Sequence, residues 1–430
     1  MTTALQAIAI KSRESPRHRF QNLAGLLTKG HLMRSWRELN QQAKPGVDGI
    51  TLSRYRECIA DNIANLHQQL SDKTYRAAAI QRVNIPKANG KTRPLGLPTT
   101  ADKIVQQAVS TIVQTIWEEE FKPFSYGCRL AKSAHQAVNS LNMNLRFKPY
   151  GYIIEADIKG FFDNMDHDWM MKMLELRIDD KTLLGLIRQW LKARIRQPDG
   201  SFEKPTKGTP QGGVISPVLA NIYLHYVVDV WFAHVVKPRM KGNCMLIRYA
   251  DDFVVAFQYY DEAMRFYRTL PKRLAKFGLS LSAEKTRILR FSRFQPGRER
   301  HFTFLGFELY WDLKKDGELC LRRRTARDKQ RSATKAMVDW IKQNRRLKLS
   351  QLMPQFRRKL AGFQNYFGLP DNSVSLNLYC NRAVKALFKW LNRRSQRRSY
   401  NWKGFAAMLG YFQIGNLRVR KPARLVVDWY

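Results

Sequence analysis

Cysteine is scarce in this chain, and the cysteines lie far apart. No two of them have the spacing of a zinc site, and they form no regular disulfide framework. This excludes the small disulfide-stapled secreted folds and suits a reducing cytosol. We therefore expect a cytosolic protein. The five cysteines are Cys58, Cys128, Cys244, Cys320 and Cys380.

Long uninterrupted apolar runs are also absent. A membrane helix needs about 20 consecutive, mostly apolar residues. The longest apolar run, residues 219–236, is broken by polar side chains, and no cationic and apolar leader opens the chain. We expect this run to be a buried core helix and expect no membrane partner. The interrupting residues are Asn221, His225, Asp229 and His234.

Acidic residues are few. Lys and Arg number 75 against 35 Asp and Glu, which gives a formal net charge of +40 and a pI near 10.3. This balance favours a nucleic acid as partner, because Lys and Arg displace the counterions condensed on a polyanion. About half of the excess lies after Phe307, so the C-terminal part is predicted to be mainly a binding surface. Since 44% of the residues are hydrophobic, the 430-residue chain can bury the cores of about two to four structural units.

Two of the scarce acids stand side by side at a predicted turn. Asp251 and Asp252 separate two runs rich in β-branched and aromatic residues, 244–247 and 253–257. Such runs predict a β-hairpin with both acids at its bend. Carboxylates exposed there can hold a divalent metal ion. The plainer interpretation is that Asp favours turns for its own hydrogen bonding and stays solvated.

A third acid strengthens the metal hypothesis. Residues 151–157 form a mostly apolar run that ends at Asp157, and a turn at Gly160 follows, so we predict a buried strand. If this strand lies beside the hairpin, Asp157 and Asp251 can face each other. Phosphoryl transfer with two metal ions needs this arrangement, because Mg²⁺ prefers oxygen ligands and each ion stabilises one end of an in-line displacement. The alternative is that Asp157 only caps the following helix.

Further segments frame these acids. Residues 82–95 predict a second hairpin, turned at Asn89-Gly90, that carries Lys87 and Arg93. The glycine-rich loop 207–217 precedes a helix, and its small residues permit close approach of a substrate backbone. Taken alone, basic residues are ordinary on exposed strands, and such a loop is a frequent structural device. The patterns also predict helices over 102–121, 322–344, 350–367 and 373–392.

Seven short motifs follow one another along the chain. They are Ile85-Pro86-Lys87, Arg93-Pro94-Leu95-Gly96, Ser125-Tyr126-Gly127, the run Ala156-Asp157-Ile158-Lys159-Gly160-Phe161-Phe162-Asp163, Pro210-Gln211-Gly212-Gly213, Tyr249-Ala250-Asp251-Asp252 and Phe304-Leu305-Gly306. In this order they resemble the group II intron-encoded reverse transcriptases, also called maturases. The resemblance runs from about Phe20 to about Leu409, almost the whole chain.

The resemblance implies an α+β right-hand polymerase with antiparallel sheet in its fingers and palm and a helical thumb. It assigns residues 1–100 to an N-terminal extension and fingers, and 101–315 to the palm with part of the fingers. Residues 316–395 would form the helical thumb or maturase domain, and 396–430 a short basic DNA-binding tail. The implied activity is RNA-directed DNA polymerisation, in which a primer 3′-hydroxyl attacks the α-phosphate of a deoxynucleotide.

The resemblance also implies roles for individual residues. Three acids and the backbone carbonyl of Ile158 would hold two Mg²⁺ ions, for which Mn²⁺ can substitute; the acids are Asp157, Asp251 and Asp252. Phe162 would exclude a ribose 2′-hydroxyl and so select deoxynucleotides. The other assignments are Lys87 and Arg93 on the triphosphate, Gln211 on the nucleotide and template, Lys285 as proton donor to pyrophosphate, and Phe304, Leu305 and Gly306 at the primer end.

Basic residues of the C-terminal part are the expected nucleic-acid contacts. The implied partners are an RNA template, intron RNA, a DNA primer or target, and dNTPs; the oligomeric state stays open. Three aromatic residues lie near the basic residues of this part in the sequence, namely Phe363, Tyr366 and Phe367. Their position favours either stacking on bases or ordinary helix packing. The basic residues are Arg357, Arg358, Lys359, Arg393, Arg394, Arg397 and Arg398.

One departure from the family concerns its C-terminal nuclease. Many members carry paired cysteines there, and this sequence has none, so we expect no cleavage of the second DNA strand and a primer taken from a nick or a replication fork. Three functions stay open: an intron-encoded polymerase that assists splicing, a maturase acting mainly by binding RNA, and a domesticated relative in DNA repair or phage defence. The acids argue against the second, since binding alone does not need them. The expected location is the bacterial cytosol, at the nucleoid when the protein acts on DNA.

Overall fold

The structure is a computed structural model that describes residues 2–86, 92–297, 299–314, 316–394 and 399–419. The helices are α1 (Thr3–Glu14), α2 (Lys29–Glu38), α3 (Leu52–Glu57), α4 (Ile59–Ser71), α5 (Thr100–Glu118), α6 (Ala134–Phe147), α7 (Phe161–Asn164), α8 (His167–Glu175), α9 (Lys181–Leu191), α10 (Ser216–Leu224), α11 (Tyr260–Ala275), α12 (Arg327–Asn344), α13 (Leu349–Phe367), α14 (Ser373–Leu391) and α15 (Trp402–Tyr411). The strands are β1 (Ile80–Pro86), β2 (Thr92–Leu97), β3 (Tyr152–Asp157), β4 (Ile195–Arg196), β5 (Phe202–Glu203), β6 (Cys244–Tyr249), β7 (Asp252–Phe257), β8 (Arg287–Arg290), β9 (His301–Phe304), β10 (Phe307–Leu313) and β11 (Leu319–Thr325). The fold is therefore a mixture of helix and sheet.

An antiparallel sheet with strand order β6-β7-β3-β8 forms the centre of the larger hydrophobic core. Its middle strands are apolar because helices cover them; residues 253–257 of β7 are almost completely buried. Helix α11 packs against β3 and β7, and α6 packs against β6. The two apolar runs predicted around the acids are thus adjacent strands, β6 and β7, and the predicted hairpin is confirmed.

Two apolar helical segments support this sheet. Helix α5 confirms the helix predicted over 102–121, and the hydroxyl of Thr99 caps it by accepting from the Asp102 amide at 3.2 Å. The run 219–236 lies in a continuous helical segment, Ser216–Arg239, whose middle contains two π-helical turns, His225–Asp229 and Phe232–Val236. By length and composition this segment could cross a membrane, but 72% of its most apolar window is buried inside the protein. Most apolar residues of the run belong to the core, as predicted, while Val235 is exposed.

A second sheet joins the predicted basic hairpin to the rest of the molecule. Strands β1 and β2 pair antiparallel with Ile85 opposite Arg93, and β1 also pairs in parallel with β4. The hairpin prediction is confirmed for the strands, while the turn residues 87–91 lie outside the described residues. The end of β2 is attached to the glycine-rich loop, because the Gly96 amide donates to the Gln211 carbonyl at 2.6 Å.

The helix predicted over 322–344 begins five residues later than expected. Residues 319–325 form strand β11, which pairs with β10, and α12 starts only at Arg327. The helix was predicted to begin too early because three successive arginines, residues 322–324, have the pattern of a solvated helix face. In the structure β10 supplies partners for two of them, since Arg324 lies 2.7 Å from Glu308 and Arg322 lies 3.4 Å from Asp312. The third, Arg323, is buried and donates to Asn139 of α6. Cross-strand ion pairs of this kind depend on tertiary contacts rather than on local propensity.

A smaller hydrophobic core lies in the C-terminal helices. It is built from α12, α13, α14 and α15 and runs from Met337 to Leu417. Phe356 and Phe405 are completely buried in it, and Phe363 stacks on Tyr379 with ring centroids 3.8 Å apart. The predicted helices over 350–367 and 373–392 are confirmed as α13 and α14.

Candidate active site

Three carboxylates lie at one end of the central sheet. Asp157 is the last residue of β3 and Asp252 the first of β7, and the two are direct partners in the antiparallel register. Directly opposed residues of an antiparallel pair project from the same face of a sheet. Asp251 directly precedes Asp252, in the turn after Ala250, which has the left-handed φ of 55°. The strand therefore lies beside the hairpin, as expected, with Asp252 rather than Asp251 opposite Asp157.

The electrostatics of these acids suit a bound cation. Burial, followed by the charges of Asp157 and Asp251, raises the pKa of Asp252 to about 7. Burial also raises the pKa of Asp251, with Asp157 adding to the shift and Arg93 and Lys285 opposing it. Carboxylates crowded in a partly buried site repel one another, and a divalent cation among them would relieve that repulsion. Their oxygen donors are the ligands that Mg²⁺ prefers.

The same residues do not form a complete metal cage by themselves. Across the described residues, no three acidic, histidine or cysteine side chains converge as a finished site. Mg²⁺ commonly takes only one or two carboxylates and completes its shell with water and substrate phosphates. The carbonyl of Ile158 follows Asp157 directly, and Ile158 itself is held in a bridge to Leu281. The donor set thus fits an ion that is shared with a phosphorylated substrate.

Basic residues surround the carboxylates. The Lys285 ammonium lies 2.9 Å from Asp157 Oδ2, although these two residues are far apart in sequence. The turn that carries Lys285 is attached to the same strand, because the Ser282 amide donates to the Asp157 carbonyl at 2.8 Å. Arg93 is exposed on β2 and its charge acts on Asp251. Lys87 lies outside the described residues.

A backbone hydrogen bond attaches Phe162 to the glycine-rich loop that carries Gln211. Phe162 lies in the single turn of α7, half-buried, and its carbonyl accepts from the Thr209 amide at 2.7 Å. Its side chain lines a cavity of about 320 Å³ with Pro94 and Thr209. The glycine at 212 has φ 110°, and a Cβ there would lie 2.7 Å from the Gly96 carbonyl oxygen. In this structure the small residue therefore permits close approach of strand β2.

The turn at 304–306 connects the larger core to the C-terminal helices. Phe304 is completely buried, while Leu305 and Gly306 have left-handed φ angles of 50° and 78°. Tyr366 of α13 donates its hydroxyl to the Leu305 carbonyl at 3.0 Å, and the Phe367 ring lies 3.6 Å from where a Cβ on Gly306 would be. These two aromatics thus pack against this turn. The sequence left open whether three aromatics of α13 stack on bases or pack between helices. One of them, Phe363, lies in the smaller core.

The predicted basic contacts differ in their surroundings. Lys359 projects from α13 and lies 5.0 Å from the centre of the Trp340 ring. Arg394 is half-buried and donates to the Leu347 carbonyl at 3.1 Å, so part of its hydrogen-bonding capacity is used inside the protein. The exposed members are Arg357, Arg358, Lys359 and Arg393, and Arg397 and Arg398 lie outside the described residues.

Sequence reasoning missed the support beneath the acidic turn. Arg248 is completely buried and forms an ion pair with Asp229, which is also completely buried. Asn221 accepts from the same guanidinium at 3.1 Å. A signal was present: Asn221, His225 and Asp229 recur every four residues in an otherwise apolar helix, which places polar groups along one buried face.

Comparison with known proteins agrees with this geometry. The sequence profile described as "Reverse transcriptase (RNA-dependent DNA polymerase)" matches residues 85–309. Protein YkfC of Escherichia coli is 30% identical over 346 residues, covering 73% of this chain and 89% of that protein. The group II intron-encoded protein LtrA of Lactococcus lactis is 28% identical over 401 residues, covering 74% of this chain and 65% of that protein.

A shorter match reaches into eukaryotes. The nuclear intron maturase 4 of Arabidopsis thaliana is 30% identical over 142 residues, which is 32% of this chain and 17% of that protein. The profile match contains all three carboxylates, the glycine-rich loop and the turn at 304–306. The chain therefore belongs to the reverse transcriptase family of RNA-dependent DNA polymerases, in its group II intron-encoded branch.

Proposed function

We propose that the protein extends the 3′-hydroxyl of a DNA primer with dNTPs on an RNA template, and that it also binds intron RNA and assists splicing and mobility. The observation that carries the proposal is that Asp157, Asp251 and Asp252 lie at one end of the central sheet, where Asp157 is opposite Asp252 and the charges of Asp157 and Asp251 help to raise the pKa of Asp252. A protein that only bound RNA would have no use for partly buried, mutually repelling carboxylates, which cost free energy.

The proposed chemistry assigns a separate task to each group. Three acids and the Ile158 carbonyl would hold two Mg²⁺ ions, which when bound would polarise the α-phosphate and stabilise charge on the attacking and leaving oxygens. Lys285 would give a proton to the leaving pyrophosphate, while Lys87 and Arg93 neutralise the triphosphate. Phe162 would exclude the 2′-hydroxyl, Gln211 would contact the nucleotide and template, and residues 304–306 would hold the primer end. The acids are Asp157, Asp251 and Asp252.

The proposed architecture is a right hand. An N-terminal extension and fingers would comprise residues 1–100, the palm with part of the fingers 101–315, and the helical thumb or maturase domain 316–395, followed by a DNA-binding tail at 396–430. Support comes from the two hydrophobic cores, of which the smaller is made of the C-terminal helices. The contact of Tyr366 with the Leu305 carbonyl would then connect thumb and palm.

The proposed maturase role depends on charge and on relatives. Two matched proteins are named for group II introns or intron maturation, and the net charge of +40 suits a large RNA partner. The two alternatives, an RNA-binding maturase without polymerase activity and a domesticated polymerase in DNA repair or phage defence, have no observation that favours them.

The decisive test is primer extension with purified protein. We expect a DNA primer annealed to RNA to be extended with dNTPs and Mg²⁺, and we expect Asp251→Asn to abolish extension because it removes the charge of one ligand. RNA affinity, measured by filter binding, should stay within about twofold, since the variant removes no cation. Extension at the wild-type rate by Asp251→Asn would contradict the assignment.

The same variant tests whether the two activities are separate. If Asp251→Asn binds RNA normally, it should still promote splicing of an intron RNA at low Mg²⁺ concentration. Splicing lost together with extension, in a variant that remains folded, would mean that the acidic site also serves the RNA-binding role.

A further inference from the structure

The turn that carries Asp251 and Asp252 lies on a buried polar network centred on Arg248. This side chain is completely buried, and each of its five N–H donors has an acceptor. The contacts are Nε to Asp229 Oδ1 at 2.8 Å, Nη2 to Asp229 Oδ2 at 2.5 Å and to Ser125 Oγ at 2.7 Å, and Nη1 to Asn221 Oδ1 at 3.1 Å and to the Ala250 carbonyl at 3.0 Å.

Ala250 is the point at which this network acts on the turn. Its φ of 55° lies in the left-handed region, which residues other than glycine adopt at a cost. Arg248 binds the Ala250 carbonyl from one side. Gly127 packs against the same residue, because a Cβ on Gly127 would lie only 2.3 Å from the Ala250 nitrogen. The conformation of Ala250 sets the direction of the next residue, Asp251.

The network also joins three separate parts of the chain. The Arg248 amide donates to the Phe124 carbonyl and its carbonyl accepts from the Tyr126 amide, both at 2.9 Å. Asn221 in turn donates to the Gly127 carbonyl at 2.6 Å. Asp229 is the last residue of the first π-helical turn, so the helix, the 124–128 segment and strand β6 all meet at one guanidinium.

Stability alone is a poor explanation for such an arrangement. Removing two charges from water is costly, and replacing a buried ion pair with apolar side chains is often neutral or stabilising. An apolar pair could fill the same space, but it could not donate to the Ala250 carbonyl. The feature that the charged pair adds is therefore directional control of the turn.

We propose that Arg248 and Asp229 are positioning residues, which hold the left-handed Ala250 turn so that Asp251 and Asp252 are presented together to the metal ions. The inference rests on the proposed polymerase function. Asp229 aligns the guanidinium through two parallel hydrogen bonds, and Arg248 transmits that alignment to Ala250. Neither side chain needs to touch the substrate.

The test replaces both charges at once, in the double variant Asp229→Leu with Arg248→Met. We expect it to fold with moderately lower thermal stability, because no unpaired charge remains buried but the acceptors on Ser125, Asn221 and Ala250 lose a donor. Mn²⁺ binding to the complex with a chain-terminated primer and dNTP, measured by electron paramagnetic resonance, should weaken at least tenfold. Single-nucleotide incorporation should slow at least tenfold, with the Kd for primer and template within twofold. A folded double variant with wild-type Mn²⁺ affinity would overturn the proposal.

Two further variants keep the result unambiguous. The first is a control at Arg177, another completely buried arginine, which contacts Ser12, His18 and Glu120. Arg177→Met should lower stability but leave the Mn²⁺ affinity of the folded protein unchanged. If the double variant does not fold, Arg248→Lys replaces it. Lysine keeps the charge beside Asp229, but its one nitrogen cannot reproduce the planar five-donor fork.

Weaker Mn²⁺ binding in folded Arg248→Lys supports the proposal, and unchanged binding overturns it. Failure of the wild type to extend a primer would instead contradict the proposed function. It would leave the comparison of Mn²⁺ affinities valid, so the two failures can be told apart.

Discussion

A substitution can separate the proton-donor role proposed for Lys285 from its ion pair with Asp157. Its ammonium lies 2.9 Å from Asp157, but the side chain is 67% exposed, so the ion pair contributes little to stability. A proton donor must release its proton in the reaction, whereas a charge partner need only stay positive. Arginine is a charge partner only, because its pKa is too high for it to act as an acid.

We expect Lys285→Arg to slow single-nucleotide incorporation about a hundredfold, close to the effect of Lys285→Ala, since general acid catalysis typically contributes about 10² to 10⁴. Rapid-quench kinetics with saturating primer and template would measure this. If arginine restores the wild-type rate while alanine does not, Lys285 acts through its charge on Asp157 and not as an acid.

Phe162 offers a test of sugar selection. Phe162→Ala should open space beside the ribose, so ribonucleotides should compete better by about tenfold for each 1.4 kcal/mol of clash that is relieved. The ratio of kcat/KM for dNTP and rNTP measures the change. Phe202→Ala is the control, because Phe202 is an exposed aromatic on β5, where we assign no contact with the nucleotide. An unchanged ratio in Phe162→Ala would identify another residue as the gate.

The residues found from sequence and those missed differ in their surroundings. Asp157, Asp251 and Asp252 stand out because acids are rare in this chain and lie where strands end. Arg248 could not be identified in this way. It is one of 75 basic residues, and its partner Asp229 looked like an interruption of an apolar helix.

At the level of elements, Tyr366 joins helix α13 to the turn at 304–306. Its hydroxyl donates to the Leu305 carbonyl at 3.0 Å, while its ring stacks near Phe307 with centroids 5.9 Å apart. The hydroxyl and the ring can therefore be tested separately. His135 contacts the same residue through the Tyr366 carbonyl at 2.7 Å, which links α6 to this junction.

Tyr366→Phe should keep the ring and lose the hydrogen bond, which is worth about 1 kcal/mol. If the turn holds the primer end, we expect primer and template to dissociate about fivefold faster, and fewer nucleotides to be added in one binding event. Extension in the presence of a heparin trap measures both. Tyr379→Phe, in the smaller core, is the matched control, and an equal loss of processivity in both variants would contradict a specific role of the junction.

The elements predicted wrongly show where pattern reasoning fails. Helices α5, α13 and α14 follow apolar periodicity and were predicted correctly. Part of strand β11 was predicted as helix, because its arginines gain their partners from distant elements: Glu308 and Asp312 of β10, and Asn139 of α6. The local sequence shows the spacing of the residues on a buried face, but it does not show which strand lies beside a segment.

For the whole molecule, the main physical property is its positive charge. One concentration of that charge surrounds Trp390, where Lys342, Lys389 and Arg393 lie 5.5, 5.8 and 5.7 Å from the ring centre. The Trp390 ring is partly buried against the smaller core, whereas these three cations are exposed and so available to phosphates. Arg394 is less suitable for testing this surface, because it donates to the Leu347 carbonyl.

Replacing Lys342, Lys389 and Arg393 with Gln should lower the slope of log affinity against log salt by about two units for RNA, if each neutralises one phosphate. A salt titration of binding to a structured RNA measures the slope. The control replaces three exposed basic residues near the N-terminus, Lys11, Arg17 and Lys29, and so removes the same net charge. Equal slopes in the two triple variants would mean that total charge, and not this surface, governs binding.

The sequence by itself determined the family, the three carboxylates, the main helices and the preference for a polyanion. Motifs and apolar periodicity depend on the order and spacing of nearby residues, and net charge is a sum over residues, so neither requires knowledge of the fold. Tertiary structure alone decided that Asp157 pairs with Asp252, that Lys285 reaches Asp157 and that Arg248 holds Ala250. Each of these contacts joins residues whose separation in space depends on the register and twist of strands. A one-residue shift in register would reverse which face every side chain occupies, and no local pattern specifies that choice completely.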